Sequence, residues 1–307
     1  MPVQSLISNS KINTGLKILR KRNDGYHDLE TIFYPLDLHD TIDIDIEPGH
    51  LKINNIHINS DSRIIPRNTA NLCYTAVENF FAEFPQDEFY SIQIYIHKNI
   101  PLGGGLAGGS SNAASVIKFL ASYFGLAKDE NRDRIMKVAL QTGSDVPFFL
   151  FERPCFASGR GEEIKPLDDF KLDYDILIVN PNVRISTKEA FESLNFKAGE
   201  ERHSELRKVT AFDPSRLEIF QNDFEAVAFE MYPEIAQIKS DLLEAGAVFA
   251  SLTGSGASTY GLFTPLIGDK KNNLKEYFSA KGYFTFLSEL KNRQLHFQKE
   301  QQFFSHL

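Results

Sequence analysis

The sequence contains no tryptophan and only two cysteines, Cys73 and Cys155, in a chain of 307 residues. Two cysteines so far apart in sequence form neither a metal-binding spacing nor the framework of a disulfide-rich secreted protein. We therefore expect both thiols to be reduced and buried. Because tryptophan is absent, the 26 phenylalanines are expected to fill much of the core.

Long apolar runs and an excess of basic residues are also missing. The sequence has no stretch of roughly 18 apolar residues, so we expect no membrane-spanning helix. Its first residues lack the basic and apolar segments of a signal peptide. A formal net charge of −8 argues against a nucleic-acid partner but leaves an anionic small molecule open, because local dipoles and single lysines set the field in a cleft. A cytoplasmic enzyme fits all of these absences, and they leave its oligomeric state open.

The length of the chain and the order of its patterns indicate two domains. Alternating apolar residues predict a strand-rich first hundred residues, and helical spacing follows over residues 69–84, 110–124, 129–141 and 216–245. The pattern is interrupted near 153–160, so we place the domains at residues 1–155 and 156–307. Strands and helices that do not alternate regularly favour an α+β fold over a doubly wound sheet.

Residues 101–111 hold five glycines within seven positions, followed by Ser110 and Ser111 and then by a helix-forming run. Glycine allows the backbone to turn tightly and to bring its N–H groups close to a ligand. A helix that begins at one of the two serines would add unpaired N–H donors and the positive end of its dipole. Together these features predict a phosphate-binding loop and hence a nucleotide ligand.

Three other interpretations of this loop fit the residues less well. A P-loop requires a lysine before its Ser or Thr, and no lysine stands in the loop. Gly103, Gly105 and Gly108 match the dinucleotide-binding pattern of an NAD-dependent oxidoreductase. However, Pro101 separates these glycines from the preceding strand, and no acidic residue stands at an evident ribose-binding place. A flexible linker would not run into a helix capped by two serines.

Two further segments contain residues suited to phosphoryl transfer. Lys11, which stands with Asn13 on a predicted strand, is either a solvated lysine or the cation that the glycine loop lacks. Asp145 follows Ser144 and precedes Pro147, which predicts a helix cap. Its carboxylate could also accept or orient the proton of a hydroxyl, and the two roles are compatible.

Two more segments are suited to ligand binding but are less specific. A second small glycine loop at 252–258 is either an ordinary turn or a cover for a phosphate bound by the first loop. Tyr26 and His27 directly follow a turn signal, so they are either surface residues or a pair that stacks on a base and bonds to it. Neither segment decides the function alone.

Taken in order, these elements resemble the motifs of the GHMP kinase superfamily. The matching segments are Lys11-Ile12-Asn13, Asp24-Gly25-Tyr26-His27, the glycine loop at 101–111, Gly143-Ser144-Asp145-Val146-Pro147 and Leu252-Thr253-Gly254-Ser255-Gly256. The resemblance implies a two-domain fold with an N-terminal nucleotide-binding domain like domain 2 of ribosomal protein S5 and a ferredoxin-like C-terminal substrate domain. The proline that usually opens the first motif is missing, since Asn9 and Ser10 precede the lysine here.

The resemblance also implies a role for each matching residue. Lys11 and Asp145 would form the catalytic pair, in which Lys11 keeps Asp145 ionised and stabilises the transferred phosphoryl group. ATP would be bound by Asn71, Lys98, Pro101, Leu102, Gly103, Gly104, Gly105, Leu106, Ala107, Gly108, Gly109, Ser110 and Ser111. Mg²⁺ would lie near the hydroxyl of Ser110 or Ser111. The acceptor would contact Asn13, Tyr26, His27, Phe33, Asp145, Thr187, Phe191, Gly254 and Gly256, with its base between Tyr26 and Phe191.

The segment at 24–27, which follows soon after Lys11 and Asn13, favours one branch of the superfamily. Members of that branch use ATP to phosphorylate the 2-hydroxyl of the cytidine diphosphate conjugate of methylerythritol, in the non-mevalonate route to isopentenyl diphosphate. The first alternative is another small-molecule kinase of the mevalonate or homoserine type, against which the 24–27 segment argues. The second is a regulatory protein that only binds nucleotide, against which the retention of Lys11 and Asp145 argues.

Overall fold

The structure is a computed structural model that describes residues 3–49, 52–194, 196 and 199–300. The strands in these residues are β1 Gln4–Lys21, β2 His27–Pro48, β3 Asn55–Ser60, β4 Tyr90–His97, β5 Cys155–Ser158, β6 Glu163–Pro166, β7 Asp175–Asn180, β8 Phe249–Leu252, β9 Thr259–Phe263 and β10 Phe284–Ser288. The α-helices are α1 Leu72–Glu83, α2 Gly108–Tyr123, α3 Arg132–Thr142, α4 Phe148–Phe151, α5 Thr187–Glu192, α6 Glu225–Met231, α7 Pro233–Glu244, α8 Asp269–Ser279 and α9 Leu290–Glu300.

The first sheet has the order β3-β4-β2-β5-β6, and β1 also pairs with β2. The strands β3 and β4 are parallel, whereas the other pairs are antiparallel. Alternation along β2 and β4 turns Ile44 and Ile94 to the same side, where they pack in one core with Phe80 of α1 and Leu120 of α2. Helices α1 and α2 therefore cover this face of the sheet and set the position of the loop that leads into α2.

The second sheet has the order β10-β7-β9-β8 and is antiparallel throughout. Its central strand β7 is buried on both faces, which explains the unbroken apolar run that predicted it. Leu177 packs with Leu242 of α7, whereas Ile178 packs with Ile12 of β1 on the opposite face. The second sheet thus lies between its own helices and the first sheet.

One mixed and one antiparallel sheet, with helices that do not alternate regularly with the strands, confirm the predicted α+β class. The sequence-based division at 155/156 falls at the first residue of β5. Both β5 and β6 belong to the first sheet, which therefore continues to Pro166, and the second sheet begins with β7. The last residues of the predicted second domain, 301–307, lie outside the described residues.

Two predicted helices differ from the observed ones. The single helix expected over 216–245 is a 3₁₀ turn followed by α6 and α7, with a break at Tyr232. Pro233 causes the break because it has no N–H to continue α6, and it begins α7 instead. The helix expected over 129–141 opens as a 3₁₀ turn before α3.

Both cysteines are free and buried, as predicted. Burial raises the pKa of both thiols, that of Cys73 to about 12. Among the described helices, we find none whose length and apolarity would let it cross a membrane.

Candidate active site

Most of the predicted site residues meet at one cavity of about 300 Å³ between the two sheets. The predicted residues that line it are Lys11, Asn13, Phe33, Lys98, Pro101, Leu102, Gly103, Gly104, Gly105, Ala107, Gly108, Gly109, Asp145, Thr187, Phe191, Gly254 and Gly256. These residues come from β1 and β2 of the first sheet, from α5, from the loop between β8 and β9 of the second sheet, from the start of α2, and from the segments that lead into α2 and α4. The fold therefore brings together the motifs that the sequence indicated separately.

The two glycine loops touch each other through their backbones. Gly105 has φ +73°, and a Cβ atom there would overlap the carbonyl oxygen of Thr253. Gly254 has φ +58°, and its Cβ would lie 3.0 Å from the Cα of Gly105. Only glycine satisfies both the left-handed backbone and the close approach. The second loop thus closes against the first.

Helix α2 begins at Gly108, so the prediction that it begins at Ser110 or Ser111 is wrong. Ala107 precedes it in the left-handed conformation, and no side chain caps the helix. The chain enters the helix through this tight turn instead of through a serine cap. The first N–H groups of a helix have no partner within it, and Gly108 and Gly109 border the cavity. The anion-binding end of α2 therefore faces the cavity, as expected of a phosphate loop.

Lys11 is almost wholly buried, and its amine is held at the floor of the cavity. Nζ donates to Asn13 Oδ1 at 2.6 Å and to the carbonyl oxygen of Gly105 at 2.7 Å. The pairing of β1 with β2 shifts register on both sides of this stretch, and such bulges redirect side chains. Burial lowers the pKa of Lys11, while the negative charge of Asp145 opposes that shift.

Asp145 lies in the turn before α4, and the capping role predicted for it is wrong. Helix α4 begins at Phe148, with Pro147 at its N-cap position and no side-chain cap. The carboxylate of Asp145 has no hydrogen bond or ion pair with any residue that the structure describes. Its negative charge raises the pKa of Lys11, against the lowering effect of burial. Asp145 is therefore free to meet a ligand.

Asn13 connects the two glycine loops to the buried lysine. Its Oδ1 accepts from Lys11 Nζ, from Thr253 Oγ1 at 3.2 Å and from the backbone N–H of Gly254 at 2.8 Å. Its Nδ2 donates to Thr31 Oγ1 at 2.9 Å. Because each polar atom of its side chain already has a protein partner, Asn13 holds the site together.

Lys98 lies at the N-terminal end of α2, where a Cβ on Gly108 would approach its Nζ to 2.9 Å. The amine forms a buried ion pair with Asp40. The same carboxylate accepts hydrogen bonds from the N–H groups of Asn99 and Ile100, each at 2.8 Å. Burial lowers the pKa of Lys98, and Asp40 opposes that shift.

Two of the aromatic residues assigned to the base contact each other. The rings of His27 and Phe191 stack directly, with centroids 4.8 Å apart and an angle of 17° between their planes. His27 therefore covers one face of Phe191, and the predicted sandwich of the base between Tyr26 and Phe191 stays a prediction. Tyr26 is 57% exposed, and the guanidinium of Arg160 lies 4.9 Å from its ring centroid.

Six predicted site residues do not line the cavity: Tyr26, His27, Asn71, Leu106, Ser110 and Ser111. Asn71 is the N-cap of α1, and its side chain bonds to the N–H of Cys73 and to the carbonyl oxygen of Pro66. Leu106 is buried in the core, but its carbonyl oxygen accepts from the N–H of Lys11 at 3.2 Å. His27 reaches the cavity wall only through its stack on Phe191.

Sequence reasoning missed several residues that shape the site. Arg160 and Gly161 line the cavity, although the sequence showed them only as an interruption between patterns. Asp40 orients Lys98 from a strand distant in sequence, so no local signal could have indicated it. Asn222 donates to the carbonyl oxygens of Leu252 and Gly254 and thereby fixes the second glycine loop.

Comparison with known proteins identifies a GHMP kinase domain in each part of the chain. The model of the N-terminal domain of GHMP kinases matches residues 71–153, and that of the C-terminal domain matches residues 204–282. A solved structure described as a 4-(cytidine 5'-diphospho)-2C-methyl-D-erythritol kinase superposes with a TM-score of 0.72 at 26% identity, and the match covers 92% of this chain and 98% of that one. Homoserine kinase from Cytophaga hutchinsonii, at 18% identity and a TM-score of 0.66, shares the fold. These matches confirm the predicted superfamily and its two-domain fold.

Relatives of higher sequence identity show to which family with this fold the chain belongs. The 4-diphosphocytidyl-2-C-methyl-D-erythritol kinase of Bacteroides thetaiotaomicron is 40% identical over 84% of this chain and 91% of its own length. The kinase of the same name from Chlorobium luteolum is 37% identical over 86% of this chain and 90% of its own length. On this similarity and on the shared fold, the chain belongs to the 4-diphosphocytidyl-2-C-methyl-D-erythritol kinase family of GHMP kinases.

Proposed function

We propose that this protein transfers the γ-phosphoryl group of ATP to the 2-hydroxyl of 4-diphosphocytidyl-2-C-methyl-D-erythritol, in the non-mevalonate route to isopentenyl diphosphate. The family membership supports the reaction class and the acceptor. The observation that carries the proposal is the single cavity in which Lys11, Asp145, the start of α2 and both glycine loops meet. Such a cavity places an anion-binding backbone, a cation and a carboxylate within reach of one reacting centre.

The ATP phosphates would lie along the first glycine loop and the start of α2. The unpaired N–H groups of the helix and its dipole favour negative charge there. Lys98 adds a cation at the same helix end, where Asp40 holds its amine. Asn71 would then contribute to ATP binding only indirectly. It caps α1, and both polar groups of its side chain are already hydrogen-bonded to the backbone.

Asp145 and Lys11 would act on the transferred group. The acceptor hydroxyl oxygen attacks the γ-phosphorus while the bond to the bridging oxygen of ADP breaks, and Asp145 receives or orients the hydroxyl proton. An ammonium group has three N–H donors, and Lys11 uses two of them on Asn13 and Gly105. The third is then available for an oxygen of the γ-phosphoryl group, whose charge it would stabilise.

Mg²⁺ would enter with the nucleotide. The described residues contain no group of three or more His, Cys, Asp or Glu side chains that could hold a metal by themselves. This fits Mg²⁺ in kinases, which is usually held by one or two protein oxygens together with the substrate phosphates. Ser110 or Ser111, in the first turn of α2, would supply a hydroxyl, and the ion would neutralise charge on the phosphates.

We also propose that the protein works in the cytoplasm. Two free, buried thiols suit a reducing compartment, in which structural disulfides are rare.

A coupled assay of ADP release tests the proposed reaction. With ATP and Mg²⁺, the protein should release ADP when 4-diphosphocytidyl-2-C-methyl-D-erythritol is present and should not do so with mevalonate, homoserine or galactose. Turnover of one of those three alcohols in place of the cytidyl compound would agree with a GHMP kinase but would overturn the proposed acceptor.

A further inference from the structure

One cation in the cavity has no part in the proposed transfer. Within the described residues, the cationic side chains that line the cavity are Lys11, Lys98 and Arg160. The amines of both lysines are already bonded to protein groups. Arg160 uses only Nε in a hydrogen bond, to Glu162 at 3.2 Å. Its two terminal NH₂ groups have no hydrogen-bond partner in the part of the chain that the structure describes.

The loop of Arg160 lies on the side of the cavity that holds Asp145. The neighbouring Gly161 has φ +107°, and a Cβ atom there would lie 4.0 Å from Asp145 Oδ1 and 3.9 Å from Phe33 Cζ. Lys98, by contrast, lies at the start of α2. Lys98 and the loop of Arg160 therefore lie at different parts of the cavity, Lys98 at the start of α2 and the Arg160 loop beside Asp145.

Two neighbours hold the guanidinium of Arg160 in place. The carboxylate of Glu162 accepts from the backbone N–H of Arg160 and from its Nε. The ring of Tyr26 packs against the guanidinium, with a distance of 4.9 Å from Cζ to the ring centroid. Asp24 also interacts with Arg160 through its charge, but no described residue forms a hydrogen bond with the terminal NH₂ groups, which leaves them for an anion.

We propose that Arg160 binds the diphosphate of the acceptor, with Glu162 and Tyr26 as positioning residues. This inference rests on the proposed function. The acceptor's diphosphate connects its cytidine to its methylerythritol, so it must pass close to Asp145 when the 2-hydroxyl is placed for transfer. A guanidinium presents paired, coplanar N–H groups that match phosphate oxygens, which a lysine amine does not. Arg160 would thus select an acceptor with a diphosphate over a simple alcohol.

Substitution of Arg160 tests this role, with the KM of both substrates as the first readout. Arg160→Gln should raise the KM for 4-diphosphocytidyl-2-C-methyl-D-erythritol by about 10- to 100-fold, the usual range for a lost charge-assisted hydrogen bond, and leave the KM for ATP unchanged. Arg160→Lys should raise this KM by a smaller factor, because lysine keeps the positive charge but lacks the paired N–H groups of the guanidinium. Arg153→Gln is the matched control, since Arg153 pairs with Asp168 and does not line the cavity.

Calorimetric binding of CDP and cytidine is the second readout, and it does not depend on turnover. Arg160→Gln should weaken CDP binding and leave cytidine binding unchanged, whereas a general disturbance of the pocket would weaken both. A wild-type protein without activity on the acceptor overturns the proposed function and this inference with it. An active wild type whose acceptor KM and CDP affinity are the same in Arg160→Gln overturns this inference alone.

Discussion

Gly105 and Thr253 face each other so closely that no side chain fits at position 105. The hydroxyl of Thr253 shares its one proton between the carbonyl oxygen of Gly105, at 3.1 Å, and Asn13 Oδ1, and Lys11 donates to the same carbonyl oxygen. The contact joins the first glycine loop to the second and fixes the amine of Lys11 between them. The relative position of the two loops therefore sets the geometry of the proposed reacting centre.

The first prediction concerns this contact. Gly105→Ala should reduce kcat about 100-fold or more, because an added Cβ must push the two loops apart and a shift of about 1 Å in a reacting group has effects of that size. It should also lower the free energy of unfolding by about 1–3 kcal/mol through overpacking. Steady-state kinetics and chemical denaturation measure the two effects.

Gly125→Ala is the matched control for that substitution. Gly125 has a similar backbone, with φ +66°, but a Cβ there would meet nothing within 4 Å. It should show only the cost of a left-handed alanine, about 1–2 kcal/mol, with normal kcat. Equal kinetic behaviour of the two variants would contradict the role assigned to the contact.

The second prediction concerns Asp145. Asp145→Asn should reduce kcat by about 10²- to 10⁴-fold, the range typical of a lost group in acid–base catalysis. ATP affinity should survive, because the glycine loop and α2 hold the phosphates. Stability should change little, since Asp145 bonds to no other described side chain or backbone group. A loss of ATP affinity comparable to the loss of kcat, measured by nucleotide titration, would show that Asp145 has another role.

The third prediction is a pH dependence that involves Lys98 and Asp40. In the proposed site Lys98 would bind the ATP phosphates only when protonated, so the KM for ATP should rise as pH increases through the pKa of Lys98. Burial lowers that pKa and Asp40 raises it. Asp40→Asn removes the raising charge, so the rise in the KM for ATP should begin at a lower pH than in the wild type. Parallel profiles of KM against pH for the two proteins would show that Asp40 does not control Lys98.

The fourth prediction concerns the His27–Phe191 stack. Phe191→Ala should raise the KM for the acceptor more than the KM for ATP, because Phe191 lies on the cavity wall and stacks with His27, and both are assigned to the acceptor. Loss of the stack should also cost about 0.5–1.5 kcal/mol of stability beyond the lost burial. His27→Ala should act in the same direction. If only the KM for ATP changed, the pocket assigned to the cytosine would be wrong.

Phe89→Ala provides the comparison for the aromatic variants, since Phe89 is 43% exposed and does not line the cavity. Both KM values should remain at the wild-type level in this variant. A similar change in acceptor KM for Phe89→Ala would show that the effect of Phe191→Ala is not specific to the pocket.

The features that the sequence predicted are those determined by neighbouring residues. The five glycines within 103–109 stand close together and their conformational needs are local, so the tight turns of this loop could be predicted from the sequence, whereas its binding of phosphate stays a prediction. Lys11 and Asn13 share a strand and a face, which brings them together without any knowledge of the fold. The apolar run of β7 likewise predicted a strand buried on both sides.

The features that were missed depend on tertiary contacts. Ser110 and Ser111 have the chemistry of a helix cap, but α2 begins at Gly108, where the helix packs closely against Lys98 and Ile100. Asp145 has the chemistry of a cap as well, yet α4 begins after it. Asp40 pairs with Lys98, and the loop of Arg160 lies beside Asp145, but the spacing between these segments in the sequence carries no signal of either relationship. At such positions tertiary packing determines the structure, even where the local sequence favours a different one.

The measurement that tests the central claim most directly is ³¹P NMR of the product formed from ATP, Mg²⁺ and 4-diphosphocytidyl-2-C-methyl-D-erythritol. We expect a new phosphomonoester resonance to grow together with ADP, while the two resonances of the acceptor's diphosphate remain. This result would show transfer to a carbon-bound hydroxyl. Loss of the diphosphate resonances, or ADP formation without a new phosphomonoester, would contradict the proposed reaction.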